Sequence, residues 1–304
     1  MSATAIALLW MIYAFFVGAV VGSFLNMCIH RIPRSRFLRE ESFVCPHCGQ
    51  EVEAVDCPHC GKEIRDEDEE ALAPSKSMGS KRSRCPRCGA LIRFYDNIPI
   101  FSWIILRGKC RDCKAPIPMR YPLVELLSGL FGLACFIAYG PSLAAVAYFI
   151  FLAALVCVSF IDLDVFRIPL FITLPGAFLG ICVSPWLPGL GIASSVLGML
   201  CGAGGIYLLR RAYFLLRGAE GMGGGDVDLM AMIGAFLGWQ GALFAAVAAA
   251  FTGTVAGLVL MAFQKKGLKT RLPFGPFLAL GAMLYLFWGG PLTAWYLGLF
   301  AGIR

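Results

Sequence analysis

Long apolar runs recur along almost the whole chain, and they restrict its possible folds more than any other feature. Of the 304 residues, 59% are hydrophobic and only 15% are charged, and the mean hydropathy is +0.75. A soluble domain of this length does not need so much apolar surface. A helix of about 20 apolar residues spans a bilayer and satisfies its own backbone hydrogen bonds. The sequence therefore predicts an all-α polytopic membrane protein.

We count eight candidate membrane-spanning helices. They cover roughly residues 5–27, 122–139, 142–161, 168–187, 190–209, 228–239, 241–263 and 274–290. The sixth and seventh form one apolar run that is interrupted only near Gly238-Trp-Gln-Gly241, and the apolar tail after Pro291 is too short for a ninth span. The first run lacks the basic start and the cleavage signal of a signal peptide, so we expect it to be retained as a helix.

Basic residues are distributed unevenly among the connections between these runs. Seventeen of the 26 lysines and arginines lie in residues 28–121, and most others lie in the connections 162–167, 210–227 and 264–273. Cytoplasmic loops are enriched in Lys and Arg, so eight spans with the N-terminus outside place every basic connection in the cytoplasm. The net charge of +7 reflects this distribution and does not indicate nucleic-acid binding.

Four Cys-x-x-Cys pairs lie in the polar segment after the first run. Their members are Cys45, Cys48, Cys57, Cys60, Cys85, Cys88, Cys110 and Cys113. In a reducing compartment this spacing indicates zinc, and four thiolates leave no open coordination position, so we expect a structural role. The last two pairs, about 21 residues apart, suit a zinc ribbon, and the first two suit a second site. Redox chemistry is the minor alternative.

Acidic residues are rare outside this polar segment. Four of the six form two Asp-x-Asp pairs at the ends of apolar runs, Asp162 with Asp164 and Asp226 with Asp228. A carboxylate at the edge of a bilayer is costly and indicates a functional site. Residues at i and i+2 point to different sides of a helix, so one member of each pair can face a partner in the bundle.

Two such carboxylates brought together can share one proton. The ionised one can activate water, and the protonated one can donate to the carbonyl of a peptide bond. The glycines of Gly221–Gly225 would let an extended peptide backbone lie close to Asp226. No Gly-Lys-Ser/Thr follows them, which excludes a phosphate-binding loop. These residues alone leave helix capping, ion pairing or a cation site in a transporter open as alternatives.

A series of motifs resembles those of the prepilin peptidase family, the bacterial leader peptidases of type IV pilins and type II secretion pseudopilins. Besides the last two cysteine pairs, the motifs are Gly22-Ser-Phe-Leu-Asn26, Asn97-Ile-Pro99, Arg120-Tyr-Pro-Leu-Val-Glu125, Phe160-Ile-Asp-Leu-Asp164, Gly223-Gly-Gly-Asp226 and Pro273-Phe-Gly-Pro-Phe277. These motifs occur in the same order as in members of the family, and together they cover nearly the whole chain.

The resemblance implies an intramembrane aspartic endopeptidase with Asp162 and Asp226 as its catalytic residues. Its active-site motifs would also include Gly223, Gly225, Asp164, Asp228, Pro273 and Gly275. Such enzymes remove the basic leader of a prepilin or pseudopilin at the cytoplasmic face of the bacterial inner membrane. Many then methylate the new N-terminus with S-adenosylmethionine. A peptidase without methyl transfer is the alternative within the family.

The resemblance also implies a division of the chain into three parts. Residues 1–28 would form the first transmembrane helix, 29–121 a cytoplasmic zinc-binding domain, and 122–304 the transmembrane peptidase domain. Residues 39–81, with the extra cysteine quartet, look like an insertion. Asp228 departs from the family pattern, because a Lys is usual at this position.

Overall fold

The computed structural model describes residues 3–34, 43–44, 51–52, 84–85, 87–218, 223–264 and 272–301. Within these ranges the α-helices are α1 Ala3–Arg31, α2 Phe101–Ile105, α3 Arg120–Tyr139, α4 Leu143–Val165, α5 Leu170–Val183, α6 Ile192–Arg217, α7 Gly224–Gln264 and α8 Gly275–Ala301. Two short strands, β1 Phe43–Val44 and β2 Glu51–Val52, pair antiparallel.

In the described part of the chain, six helices are long and apolar enough to cross a membrane: α1, α3, α4, α6, α7 and α8. The shorter apolar α5 continues into a 3₁₀ turn at Ser184–Trp186. Gly238 interrupts α7 with the non-helical angles φ 71° and ψ −179°. With α5 included and α7 counted on each side of this break, the described residues contain eight apolar helical segments. The predicted fold class, an all-α multi-pass membrane protein, is confirmed.

The C-terminal end of α6 differs from the sequence prediction. The basic residues Arg210 and Arg211, expected in a connection, lie on its last two turns. Gly218 ends the helix in the left-handed conformation (φ 64°), and its N–H donates to the carbonyl of Phe214 at 2.8 Å. Hydropathy marks where the apolar surface ends, whereas the helix itself ends only at a residue that can adopt this cap.

The starts and ends of the last two long helices also differ from the prediction. α7 begins at Gly224, so Asp226 lies in its first turn and not in the preceding connection. α8 continues through Pro291 to Ala301, past the predicted end near residue 290. Proline is tolerated inside membrane helices because neighbouring groups and local adjustments satisfy the freed backbone groups.

The helix α4 lies at the centre of the bundle and carries Asp162 near its C-terminal end. Phe151 and Leu155 of α4 are fully buried, and the Phe151 ring stacks on Phe236 of α7 with ring centroids 4.5 Å apart. Burial on all sides is expected of a helix without a polar face. The central position of α4 allows a side chain at its end to meet residues from several other helices.

Small residues bring α6 and α7 into close contact. A Cβ atom on Gly234 would collide with the backbone carbonyl of Gly198. Across the same interface, the buried Ser195 hydroxyl donates to the carbonyl of Ala235 at 2.6 Å. Close approach through small residues, reinforced by hydroxyl hydrogen bonds, is typical of helix pairs in membranes. This contact fixes the start of α7 beside the end of α6.

Candidate active site and metal centre

Asp162 is held by a backbone group from a different helix. The residue is only 4% exposed, and its Oδ2 atom accepts a hydrogen bond from the N–H of Gly275 at 3.0 Å. Gly275 is the first residue of α8, so this N–H has no acceptor within its own helix. A Cβ on Gly275 would lie 2.6 Å from the same carboxylate oxygen. The hydrogen bond as observed therefore requires glycine at this position.

Asp226 lies in the first turn of α7 and is 6% exposed. The backbone N–H of Gly223 hydrogen-bonds its carboxylate, and both Asp162 and Arg210 interact with it electrostatically. The two predicted aspartates, far apart in the sequence, thus lie within electrostatic range of each other, at the C-terminal end of α4 and the start of α7. Arg210 was predicted only as part of a basic connection, and no sequence signal links it to Asp226.

Ile168, just before α5, packs between the segments that carry the two acids. Its Cβ lies 2.6 Å from the position of a Cβ on Gly225, and its Cδ1 lies 3.2 Å from that of a Cβ on Gly275. Only glycine lets both segments approach this side chain. Ile168 belongs to the Ile-Pro motif noted in the sequence, but its place between the two glycines could not be read from that motif.

The second member of each Asp pair lies away from this buried arrangement. Asp164 is 40% exposed and forms an ion pair with Arg120 at 2.7 Å. Arg120 also donates to the carbonyl of Phe160 at 2.9 Å and lies over its ring, 4.8 Å from the centroid. Asp228 is half-buried. The inward members are therefore Asp162 and Asp226, in agreement with the helical spacing.

Two further residues of the predicted motifs lie beside the acids. A Cβ on Gly223 would come no closer than 3.7 Å to the Asp226 carboxylate, so space alone does not require glycine there. Pro273 lines a mainly apolar cavity of about 270 Å³ between α7 and the start of α8. Phe274 and Phe277 supply the aromatic part of its wall.

The chemistry available to this pair follows from its burial. Two carboxylates that interact in a poorly solvated site can share one proton and titrate as a unit. Such a pair offers a base and an acid at the same time. Ile168 and Asp162 fill the space beside Gly225 and Gly275, whereas the exposed Gly223 leaves the backbone before Asp226 open to close approach.

A second cluster is formed by the thiols of the last two cysteine pairs. The sulfur atoms of this cysteine cluster all lie within 4.8 Å of one another, and they belong to Cys85, Cys88, Cys110 and Cys113. The Sγ atoms of Cys85 and Cys113 are 3.7 Å apart. Tetrahedral zinc with bonds of about 2.3 Å separates its sulfur ligands by about 3.8 Å. The cysteine cluster therefore fits a tetrahedral metal ion.

The two halves of the cysteine cluster are hairpins of the same form. In both, the N–H of the first cysteine donates to the carbonyl five residues later, at 2.9 and 2.8 Å. The residue after the second cysteine is left-handed in both, with φ 70° at Gly89 and 56° at Lys114. Hydrogen bonds from the N–H groups of Cys88 and Arg87 lower the pKa of the Cys85 thiol to about 6. This favours the thiolate, the form that binds metal.

The strands β1 and β2 repeat the register of these hairpins. In each hairpin of the cysteine cluster, a β-bridge joins two residues that flank the Cys-x-x-Cys pair. One is the residue just before the first cysteine of the pair, and the other lies six positions after that cysteine. These pairs are Arg84 with Leu91 and Lys109 with Pro116. Val44 pairs with Glu51 at the same spacing around Cys45. The predicted ligands of the extra quartet lie outside the described residues and are Cys45, Cys48, Cys57 and Cys60.

Two family models match the chain. The model of the bacterial peptidase A24 N-terminal domain matches residues 16–58 and 70–139. The model of the type IV leader peptidase family matches residues 149–258. The first match spans the cysteine cluster, and the second contains both buried aspartates. Residues 59–69, which the first match skips, lie inside the segment predicted to be an insertion.

Several curated proteins named prepilin leader peptidase/N-methyltransferase are similar to the chain over most of its length. The protein of Burkholderia pseudomallei strain 1026b is 37% identical over 279 residues, which cover 92% of this chain and 85% of that protein. The Aeromonas hydrophila protein is 34% identical, with 95% and 94% covered. The Pseudomonas aeruginosa PAO1 protein is 32% identical, with 95% and 93% covered. No solved structure matches the chain.

Proposed function

This chain belongs to the type IV leader peptidase family, and we propose that it is a membrane-embedded aspartic endopeptidase. Its substrates would be type IV prepilins or type II secretion pseudopilins, from which it removes the leader peptide. The observation that carries the proposal is the meeting of Asp162 and Asp226, two buried carboxylates from α4 and α7 that interact electrostatically. The names of the similar proteins support the same activity and give no support to a cation transporter.

Cleavage would proceed by addition of water to the carbonyl of the scissile peptide bond. The ionised aspartate takes a proton from water as the water oxygen bonds to the carbonyl carbon, and the protonated aspartate donates its proton to the carbonyl oxygen. In the second step the C–N bond breaks, and the aspartate that took a proton from water gives it to the leaving amine. A hydroxyl of the intermediate passes its proton to the other aspartate as the carboxyl group of the product forms, so the pair again holds one proton.

The surroundings of the two acids support this role for the predicted motif residues. Gly275 holds Asp162 through its N–H, and Gly225 lets the start of α7 approach Ile168. Fixed hydrogen bonds from backbone groups keep catalytic carboxylates in place without reorganisation. In this proposal Gly223, Pro273, Asp164 and Asp228 line or flank the site and do not transfer protons.

We propose structural zinc in the cysteine cluster. Four thiols at tetrahedral spacing fill every coordination position, so the metal would stabilise the fold of this segment and not act on substrate. We also propose the second zinc site predicted for the extra quartet, and the pairing of Val44 with Glu51, at the spacing found in the cysteine cluster, supports it. Removal of zinc would therefore affect the cytoplasmic segment first.

Methylation of the new N-terminus with S-adenosylmethionine is the second activity that we propose, and the relatives' names support it. The cofactor would supply the methyl group to the amine. Two cavities among the described residues lack an acidic side chain for the ribose hydroxyls of such a cofactor, since one is mainly apolar and the other lies beside Arg210 and Arg211. We therefore assign none of these residues to methyl transfer.

The proposed site faces the cytoplasm of a bacterium. The cysteine cluster, the basic end of α6 and both acids would lie at the inner rim of the cytoplasmic membrane, as the distribution of Lys and Arg predicts. We retain the division into 1–28, 29–121 and 122–304 as part of this proposal. A leader rich in basic residues would then reach the acids from the compartment in which it is made.

Mass spectrometry of a prepilin coexpressed with the full chain tests the proposal. The wild-type enzyme should release the leader and leave a mature chain heavier by one methyl group. Asp162→Ala and Asp226→Ala should leave the precursor intact, whereas Asp164→Ala should still cleave. Full processing by Asp226→Ala would refute the mechanism, and a cleaved but unmethylated product would restrict the activity to the peptidase.

A further inference from the structure

Arg210 differs from its neighbours at the end of α6. It is the one residue of 207–218 that is not exposed, whereas Arg211 and Arg217 on the same turns both are. An arginine can extend its aliphatic part along a surface and place its charged group elsewhere. At Arg210 the charged group is turned towards the start of α7.

The guanidinium of Arg210 reaches the backbone that carries the second acid. Its Nη1 atom lies 3.4 Å from the position of a Cβ on Gly224, the first residue of α7 and two residues before Asp226. Any side chain at Gly224 would contact this group. The backbone contact between Gly198 and Gly234 holds α6 against α7, so the end of α6 that carries Arg210 lies beside the start of α7.

Two charged groups among the described residues act on Asp226 in opposite directions. The guanidinium of Arg210 from α6 favours a negative charge on Asp226, and the carboxylate of Asp162 from α4, which has the stronger influence, disfavours it. Asp226 also lies in the first turn of α7, where the helix dipole favours an anion. Asp162 lies near the C-terminal end of α4, where the helix dipole disfavours an anion. The described donor to its carboxylate is the N–H of Gly275, which carries no net charge.

We propose that Arg210 is a positioning residue that stabilises the single negative charge shared by Asp162 and Asp226. The inference rests on the proposed peptidase function and adds the residue that sets the pH range in which the pair can act. It also gives a role to a side chain outside the two carboxylates.

The test is the pH dependence of kcat/KM for cleavage of a prepilin by the purified full chain in lipid nanodiscs. Loss of a nearby cation makes both ionisations of the pair harder, so Arg210→Gln should move the whole bell-shaped profile to higher pH, by about one unit. Cleavage on the acidic side should fall about tenfold and be retained on the alkaline side. Arg210→Lys should restore the wild-type position.

Arg211→Gln is the matched control, because it removes one positive charge from the adjacent exposed position. Its profile should overlay that of the wild type. Arg210→Met, which keeps the aliphatic length, is a second neutral variant if Arg210→Gln does not fold, as judged by size-exclusion chromatography and thermal unfolding. It should show the same shift of the profile.

Three outcomes would overturn the inference. A uniform loss of activity in both neutral variants without a shift would mean that Arg210 has only a structural role. An equal shift in Arg211→Gln would mean that the general surface charge is responsible. Failure of the wild-type protein to cleave at any pH would refute the proposed function itself. Because the wild type is measured first, this result is distinguished from a failure of the inference about Arg210.

Discussion

The cysteine cluster and the pair of buried aspartates are assembled from the chain in different ways. The four cysteines lie within 29 residues of one another, on two hairpins that repeat the same hydrogen bonds. Asp162 and Asp226 are separated by 64 positions and come from helices that meet only in the folded bundle. The first site depends on local backbone geometry, and the second depends on how closely whole helices approach.

This difference determines where each site is sensitive to substitution. The cysteine cluster should respond to changes in its ligands and its turn residues. The aspartate pair should respond also to glycines that belong to other helices, because their missing side chains set the positions of the acids. Four substitutions examine this contrast.

The largest effect is expected from Gly275→Ala. A Cβ at this position would displace the Asp162 carboxylate, and misplacement of a catalytic group by about 1 Å can cost about 10²-fold in rate. Steady-state cleavage of a prepilin measures the loss. Gly205→Ala on α6, where no atom lies within 4 Å of the new Cβ, is the control and should retain activity. Equal activity of the two variants would contradict the proposed constraint.

Cys113→Ser should remove the metal from the cysteine cluster and leave the aspartates in place. Elemental analysis of the purified protein should show about one zinc fewer per chain, since three thiolates do not complete the tetrahedral site. Methylation should fall more than cleavage. The exposed Cys201→Ser serves as the comparison and should keep its metal. Unchanged zinc in Cys113→Ser would remove the support for a site at this cluster.

Asp164→Asn should have a smaller effect on cleavage, about two- to fivefold in kcat/KM, because an exposed ion pair contributes little. The loss of its bond to Arg120 would loosen the end of α4 and shift Asp162 slightly. Asp162→Asn, measured in parallel, should be inactive. If the two variants lost activity to the same extent, the inward and outward roles assigned to the pair would be wrong.

The smallest effect is expected from Lys114→Gly, and it should be stabilising. Lys114 has the left-handed conformation that Gly89 has in the equivalent hairpin, and glycine there avoids a cost of about 0.5–1 kcal/mol. Thermal unfolding and zinc competition with a chelator would detect it. Gly89→Ala should change stability in the opposite direction, and a destabilised Lys114→Gly would show that the side chain has another role.

Much of the aspartate site follows from the sequence once the apolar runs are recognised. The spacing of each Asp-x-Asp pair predicts one inward member, and the motifs select Asp162 and Asp226. What the sequence does not contain is the partner of each carboxylate. Neither the hydrogen bond from Gly275 nor the approach of Arg210 has a local signal, because each joins residues of different helices.

The amino-acid sequence by itself determined the membrane class, the positions of the apolar segments and the cysteine quartets, and the family motifs selected the two acids. These properties depend on hydropathy and on spacing along the chain. Only the tertiary structure decided that α6 carries its arginines on a helix, that Gly225 and Gly275 enclose Ile168, and that the two acids meet. Such contacts arise from the packing of surfaces that are distant in sequence, where the absence of one side chain sets the distance between two helices.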